Sequence, residues 1–186
     1  MQERTGITSF MGKPVTLLGP ELKVGDKAPD FRVVDNSLSI KTIADFKGKT
    51  KIICAVPSID TPACNAEARR LDLEAKSLPD GIAILLISMD LPFAQSRYAA
   101  EVGLDRVALL SDHRDHSFGL AYGVLIKDMM LLSRSIFVVD GDDTVQYIQH
   151  VAEITDEPDY VSVLGVARGL VIAVQQVPMD GICGGY

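Results

Sequence analysis

Histidine and cysteine are scarce in this chain, three of each among 186 residues. The cysteines, Cys54, Cys64 and Cys183, form no Cys-x-x-Cys pair and no metal-ligand spacing, so no metal centre and no cofactor is expected. No apolar run approaches membrane-spanning length, and Met1 to Phe10 lacks the apolar core of a secretory signal. The expectation is a cytoplasmic protein without a membrane partner. Cationic excess is also missing: 25 Asp and Glu outnumber 18 Lys and Arg, and the net charge of −7 argues against nucleic-acid binding. Internal repeats and low-complexity tracts are absent too. In a reducing compartment an odd cysteine count points to chemistry rather than to staples, although a buried cysteine acting as a small apolar residue is the commoner case.

What is present is a 47% apolar chain, long enough for one well-formed core. Residues 1–176 read as that domain. Residues 177–186, rich in Gly and Pro, read as a mobile tail that carries Cys183.

The chain is organised around Ile52 to Leu71. An apolar strand, Ile52-Ile53-Cys54-Ala55-Val56, breaks at Pro57, and a helix starts at Thr61-Pro62. Thr61 suits the N-cap, Pro62 occupies N1 without wasting a donor, and Cys64 falls at N3. There the backbone N–H groups lack intrahelical partners and the dipole presents its positive end, so a thiolate is favoured over a thiol. Activation alone achieves little: lowering a cysteine pKa from ~8.5 to ~6 raises the thiolate fraction roughly 30-fold, but a Brønsted slope of ~0.4–0.5 removes about ten-fold of it. The site must also stabilise departing charge, which calls for a nearby cation and a hydroxyl.

The spacing Pro57-x-x-x-Thr61-x-x-Cys64 resembles the peroxidatic loop of peroxiredoxins. The string Pro57-Ser58-Ile59-Asp60-Thr61-Pro62-Ala63-Cys64 resembles their thiol peroxidase branch in particular. Two further segments agree with that branch, Ser88-Met89-Asp90-Leu91-Pro92-Phe93-Ala94-Gln95-Ser96-Arg97 and Glu153-Ile154-Thr155-Asp156-Glu157-Pro158-Asp159-Tyr160. The resemblance covers about Ile7 to Val174. It implies a thioredoxin-like α/β fold, a mixed central sheet flanked by helices with an N-terminal β-hairpin, and reduction of hydrogen peroxide and organic hydroperoxides through a sulfenic acid at Cys64. It further implies a homodimer and recycling by thioredoxin or another external thiol. Arg134, which read alone is a snorkelling edge residue, matches the family's arginine aimed at the peroxidatic sulfur. Thr61 would orient through its hydroxyl and Pro57 would shield the sulfur. Leu91, Pro92 and Phe93 are candidates for an alkyl-peroxide pocket, or equally for core or interface.

The chain departs from the family at Ala99, where most thiol peroxidases carry the resolving cysteine. Cys183 is then a candidate resolver, since thiolate exchange needs only access and a reactive partner. A thioredoxin-fold redox sensor or binding protein with little turnover is the alternative function. A disulfide oxidoreductase lacks its second cysteine, and a cysteine hydrolase would need a histidine beside Cys64.

The remaining segments read as a hairpin around Gly12-Lys13-Pro14, strands at Phe31 to Val34 and Ile40 to Ile43, and a loop from Asp45 to Lys49. The first helix should run to about Lys76 with Ala66, Leu71, Leu73 and Ala75 inward. A buried strand Ile82 to Ser88, parallel to Ile52 to Val56, precedes a helix from Pro92 to Val102 closed by Gly103. Strands follow at Val107 to Leu110, Ser133 to Asp140 and Thr144 to His150, and a last helix opens at Asp156-Glu157-Pro158 with Val161, Leu164, Ala167, Val171 and Val174 inward. Cys54 reads as core. His113, His116 and His150 read as structural or solvated.

Overall fold

The computed structural model describes residues 1–175; the candidate resolver Cys183 and the proposed tail lie outside the described residues. In chain order the N-terminal region carries β1 (Glu3–Arg4), β2 (Ser9–Phe10), β3 (Lys13–Pro14) and β4 (Leu17–Leu18). Then come β5 (Val33–Val34), β6 (Ile40–Lys41), a 3-10 turn at Ile43–Phe46, β7 (Thr50–Ala55), α1 (Pro62–Ala75), β8 (Ile82–Ser88) and α2 (Pro92–Val102). The second half holds β9 (Val107–Ser111), α3 (Ser117–Ala121), β10 (Leu125–Ile126), β11 (Ser135–Val139), β12 (Val145–His150) and α4 (Tyr160–Gln175).

Seven strands form one mixed sheet in the order β12-β11-β7-β8-β9-β5-β6. β7, β8 and β9 run parallel, with Ile52 opposite Ile84 and Leu86 opposite Leu109, while β11 returns antiparallel to β7. Every residue of β7 is buried. Alternation sends Ile52 and Cys54 to one face, packed with Leu71 of α1, Tyr98 of α2 and Leu164 of α4, and Ile53 and Ala55 to the other, against Phe31, Phe118 and Tyr122. From Ile52 to Ala55 the strand is apolar at each position, which fits only where both faces are covered. The fold is thioredoxin-like α/β, as the sequence implied.

β2 and β3 form the expected N-terminal hairpin, joined through Met11 and Gly12, both in the left-handed region at φ 52° and 75°. Two consecutive positive φ values are the signature of a two-residue turn whose twist matches its strands. A further sheet, β1-β4-β10, was not anticipated: its strands are two residues long, and Leu18 pairs with Leu125 far away in sequence.

Several boundaries differ from expectation. Ile43 opens the 3-10 turn instead of ending a strand, because Asp45 reaches back to the Thr42 N–H at 2.8 Å. On α1 the inward face is Cys64, Glu67, Ala68 and Leu71, whereas Ala66 and Leu73 are exposed. α4 begins at Tyr160, four residues later than Asp156, with Asp159 accepting from the Ser162 N–H and hydroxyl. Its inward residues are Tyr160, Val163, Leu164, Ala167 and Val171, and Val161 is exposed.

Candidate active site

β7 ends at Ala55, and the chain turns through Pro57 into the first turn of α1. The Thr61 hydroxyl oxygen accepts from the Cys64 N–H at 3.3 Å, and its own hydrogen goes to the Ser58 carbonyl at 3.1 Å. This pair of bonds sets Thr61 as N-cap and fixes Cys64 in the third helical position. The loop is tied from outside by Asp90, which follows β8. Its carboxylate accepts from the Ser58 hydroxyl (2.8 Å), the Ile59 N–H (2.8 Å) and the Ser88 hydroxyl (2.7 Å). The second motif thus holds the first in place.

Cys64 is wholly buried. Its sulfur receives the Nη2 of Arg134 at 3.1 Å. Arg134 precedes β11 and, far from snorkelling, is only 1% exposed. Its Nε donates to the Ile154 carbonyl at 2.8 Å and its Nη1 to Glu67 Oε2. Three of its five N–H groups are therefore aimed in fixed directions by the protein. Burial would lower the Arg134 pKa, but the Glu67 carboxylate and the Cys64 sulfur beside it carry it above the ordinary value. The guanidinium stays charged.

Glu67 was not among the residues singled out from sequence, since a glutamate on a helix ordinarily faces water. It lies one turn after Cys64, at i+3, and is wholly buried. Burial pushes its carboxyl up to about 7, against the opposing pull of Arg134 and with a small addition from Glu157. Tyr160 of α4 packs in the same cluster, with Arg70 stacked over its ring at 4.3 Å. The spacing from Cys64 was the only available signal: both face the interior if either does.

A pocket of about 280 Å³ opens beside these groups. Pro57, Thr61 and Arg134 are among its lining residues, and Phe10, Ile126, Met129, Leu131 and Ile154 give it an apolar character. Leu91, Pro92 and Phe93, which the sequence left open as alkyl-pocket, core or interface residues, do not line it. They form the start of α2, where Pro92 is buried at the first helical position while Leu91 and Phe93 point outward, 53% and 69% exposed.

The remaining candidates lie apart. Cys54 sits in mid-strand between Leu86 and Ile136, and burial pushes its thiol well up. His113 accepts or donates at the Ser111 hydroxyl (2.7 Å) and His150 at the Ser135 hydroxyl (2.8 Å); burial holds His150 below the usual imidazole range. Among the described residues no group of three or more His, Cys, Asp or Glu side chains converges on a metal position. No described helix is long and apolar enough to cross a membrane. Ala99 lies half-buried on α2, packed against the main core.

Comparison with known proteins bears on the family and the fold. Residues 23–164 match the Redoxin family model. The thiol peroxidase of Oceanobacillus iheyensis is 53% identical over 156 residues, 84% of this chain and 94% of its own length. That of Bacillus subtilis is 52% identical over 163 residues, 88% of this chain and 97% of its own. A crystal structure of a peroxiredoxin-like protein from Aquifex aeolicus superposes with a TM-score of 0.84 at 38% identity, covering 91% of this chain and 99% of that one. The chain belongs to the Redoxin family and, within it, to the thiol peroxidase branch of the peroxiredoxins. It is a thiol-dependent peroxidase, and the alternative, a redox sensor or binding protein with little turnover, is not favoured.

Proposed function

We propose that the enzyme reduces hydrogen peroxide and organic hydroperoxides with Cys64 as nucleophile. The observation that carries this reading is the buried Arg134 guanidinium, held from two other sides and placed 3.1 Å from the Cys64 sulfur. The thiolate attacks the terminal peroxide oxygen. An S–O bond forms, the O–O bond breaks, and the departing oxygen takes a proton to leave as water or an alcohol, giving a sulfenic acid at Cys64. Arg134 offsets the charge on the attacking sulfur and on the departing oxygen. Thr61 fixes the sulfur's position and orients the peroxide, and Pro57 shields the sulfur from bulk water. The apolar lining of the pocket would take an alkyl group.

Regeneration consumes two external thiol equivalents, from thioredoxin or a similar donor, with loss of water at the first. Because Cys64 is wholly buried, a protein-sized thiol reaches it only after the Pro57–Cys64 loop shifts. Cys183 is the other resolving candidate. It lies outside the described residues, and a sulfenic acid on its own or on a neighbouring subunit is its proposed target. A cytoplasmic homodimer completes the reading and rests on the family resemblance.

The test is peroxide consumption with excess dithiothreitol. The wild type should turn over hydrogen peroxide and cumene hydroperoxide, and Cys64→Ser should abolish both. Unchanged turnover in Cys64→Ser would sink the assignment.

A further inference from the structure

The segment between β12 and α4 does two things at once. The Ile154 carbonyl holds Arg134, and Glu153, one residue earlier, faces away from the sulfur toward the N-terminal hairpin. Its carboxylate accepts from the Ser9 hydroxyl (2.9 Å), the Met11 N–H (3.0 Å) and the Gly12 N–H (2.9 Å), with the Thr155 hydroxyl adding a fourth bond at 3.1 Å. Consecutive N–H groups in a tight turn form an anion-binding concavity, and here a carboxylate fills it. Met11 needs such support, because a non-glycine residue with positive φ persists only where its surroundings hold it there.

The base of the hairpin has its own attachments. Ser9 N–H donates to the Ala152 carbonyl and Ile154 N–H to the Ser9 carbonyl, both at 2.9 Å. Losing the carboxylate therefore frees the turn while leaving the ladder beneath Arg134 in place. Phe10 stands between base and turn. It packs on Leu17, Ile126 and Ile154 and supplies part of the pocket's apolar wall.

We infer that Glu153 is a positioning residue for substrate choice: by capping the hairpin turn it holds Phe10 as a wall of the pocket, favouring hydroperoxides with an apolar substituent over hydrogen peroxide. The inference rests on the reading that this pocket receives the peroxide. Glu153 touches neither sulfur nor substrate. The carboxylate is held ionised by the Gly12 N–H first, then by Ser9 and Met11, which pull its pKa to about 2 in spite of some desolvation. The bonds are thus charge-assisted at any working pH.

The experiment measures single-turnover oxidation of Cys64 by hydrogen peroxide and by cumene hydroperoxide, with no reductant step in the observed rate. For Glu153→Gln, which keeps the size but places an amide against N–H donors, the cumene rate should fall about ten-fold, on the scale of losing pocket contacts, while the hydrogen peroxide rate stays within about two-fold. Phe10→Ala should lower the same ratio, and the double variant should lose no more than either single one. Equal loss of both rates in Glu153→Gln would show that Glu153 acts through Arg134 or the fold, and would overturn the inference, as would an unchanged ratio. If wild-type Cys64 is oxidised by neither peroxide, the functional reading itself fails, an outcome separate from any change of ratio.

Discussion

Cys64 and Glu67, one turn apart on α1, take the two terminal nitrogens of a single buried guanidinium, that of Arg134. The sulfur's cation is thereby shared with a carboxylate and aimed by it. A lysine could supply the charge but not three directed bonds, since its ammonium is a compact charge on a flexible stem.

Removing that cation should be costly. Arg134→Gln is expected to slow Cys64 oxidation by about 10²–10³, the range for loss of one preorganised stabilising donor, and Arg134→Lys to recover only part of it. Stopped-flow rates with hydrogen peroxide check this; wild-type speed in Arg134→Gln would contradict the proposed charge role.

Glu67 carries a pH signature. Its carboxyl is raised from 4.5 to about 7, chiefly by burial, so the folded protein holds a proton there that the unfolded chain releases. Its contribution to stability is full below about pH 4.5 and is lost as the pH rises through about 7. Glu67→Gln should remove that decline, seen as a flatter midpoint between pH 5 and 8 in urea melts, while keeping an acceptor for Arg134. Glu67→Ala should instead slow Cys64 oxidation by roughly ten-fold or more, because a buried guanidinium loses a partner.

Glu153 should act in the opposite sense. Its carboxyl lies near 2 instead of 4.5, so its contribution is present above about 4.5 and is lost as the pH falls toward 2. Hydrogen exchange at the Met11 and Gly12 amides, compared at pH 5 and pH 2.5 after correction for intrinsic rates, should show loss of protection at the lower pH.

How much of this was legible in the sequence depends on whether the cause was local. Thr61-Pro62 and Gly103 announced the ends of α1 and α2, because caps, prolines and left-handed glycines act within a turn. β8 was legible as an unbroken apolar run. The β1-β4-β10 sheet was not, since two-residue strands from distant segments leave no pattern. Cys64 and Thr61 could be argued from helix physics alone. Arg134 needed the family resemblance, because nothing in Ser133-Arg134-Ser135 says that its side chain turns inward. Glu67 was missed for a related reason: a buried carboxylate looks solvent-facing until its partner is known. Leu91 and Phe93 stayed open among pocket, core and interface because apolar residues in a loop give no direction; α2 turns them outward.

The capping threonine gives a further test. Thr61→Val removes the oxygen that accepts from Cys64 N–H, and should cost about 0.5–2 kcal/mol of stability together with slower oxidation, while Thr61→Ser should restore most of both. Denaturant melts and stopped-flow rates on the two variants separate cap loss from packing loss.

Asp90 ties the loop to the end of β8. Asp90→Ala strands the Ser58 hydroxyl and Ile59 N–H and should destabilise the fold by about 1–3 kcal/mol. The same change should speed reaction of Cys64 with a thiol-specific reagent such as iodoacetamide, since the sulfur is buried only while the loop is held. An unchanged alkylation rate would argue that other contacts hold it.

The most direct test of the account is intact and peptide mass spectrometry of the reduced protein after one equivalent of hydrogen peroxide, on wild type, Cys183→Ser and Cys64→Ser. The account predicts that oxidation begins at Cys64 in the first two, as a dimedone-trappable sulfenic acid or, in wild type alone, as a Cys64–Cys183 disulfide two hydrogens lighter, and that Cys64→Ser is left unmodified. Wild-type protein with an unmodified Cys64 and peroxide consumed elsewhere on the chain would contradict it.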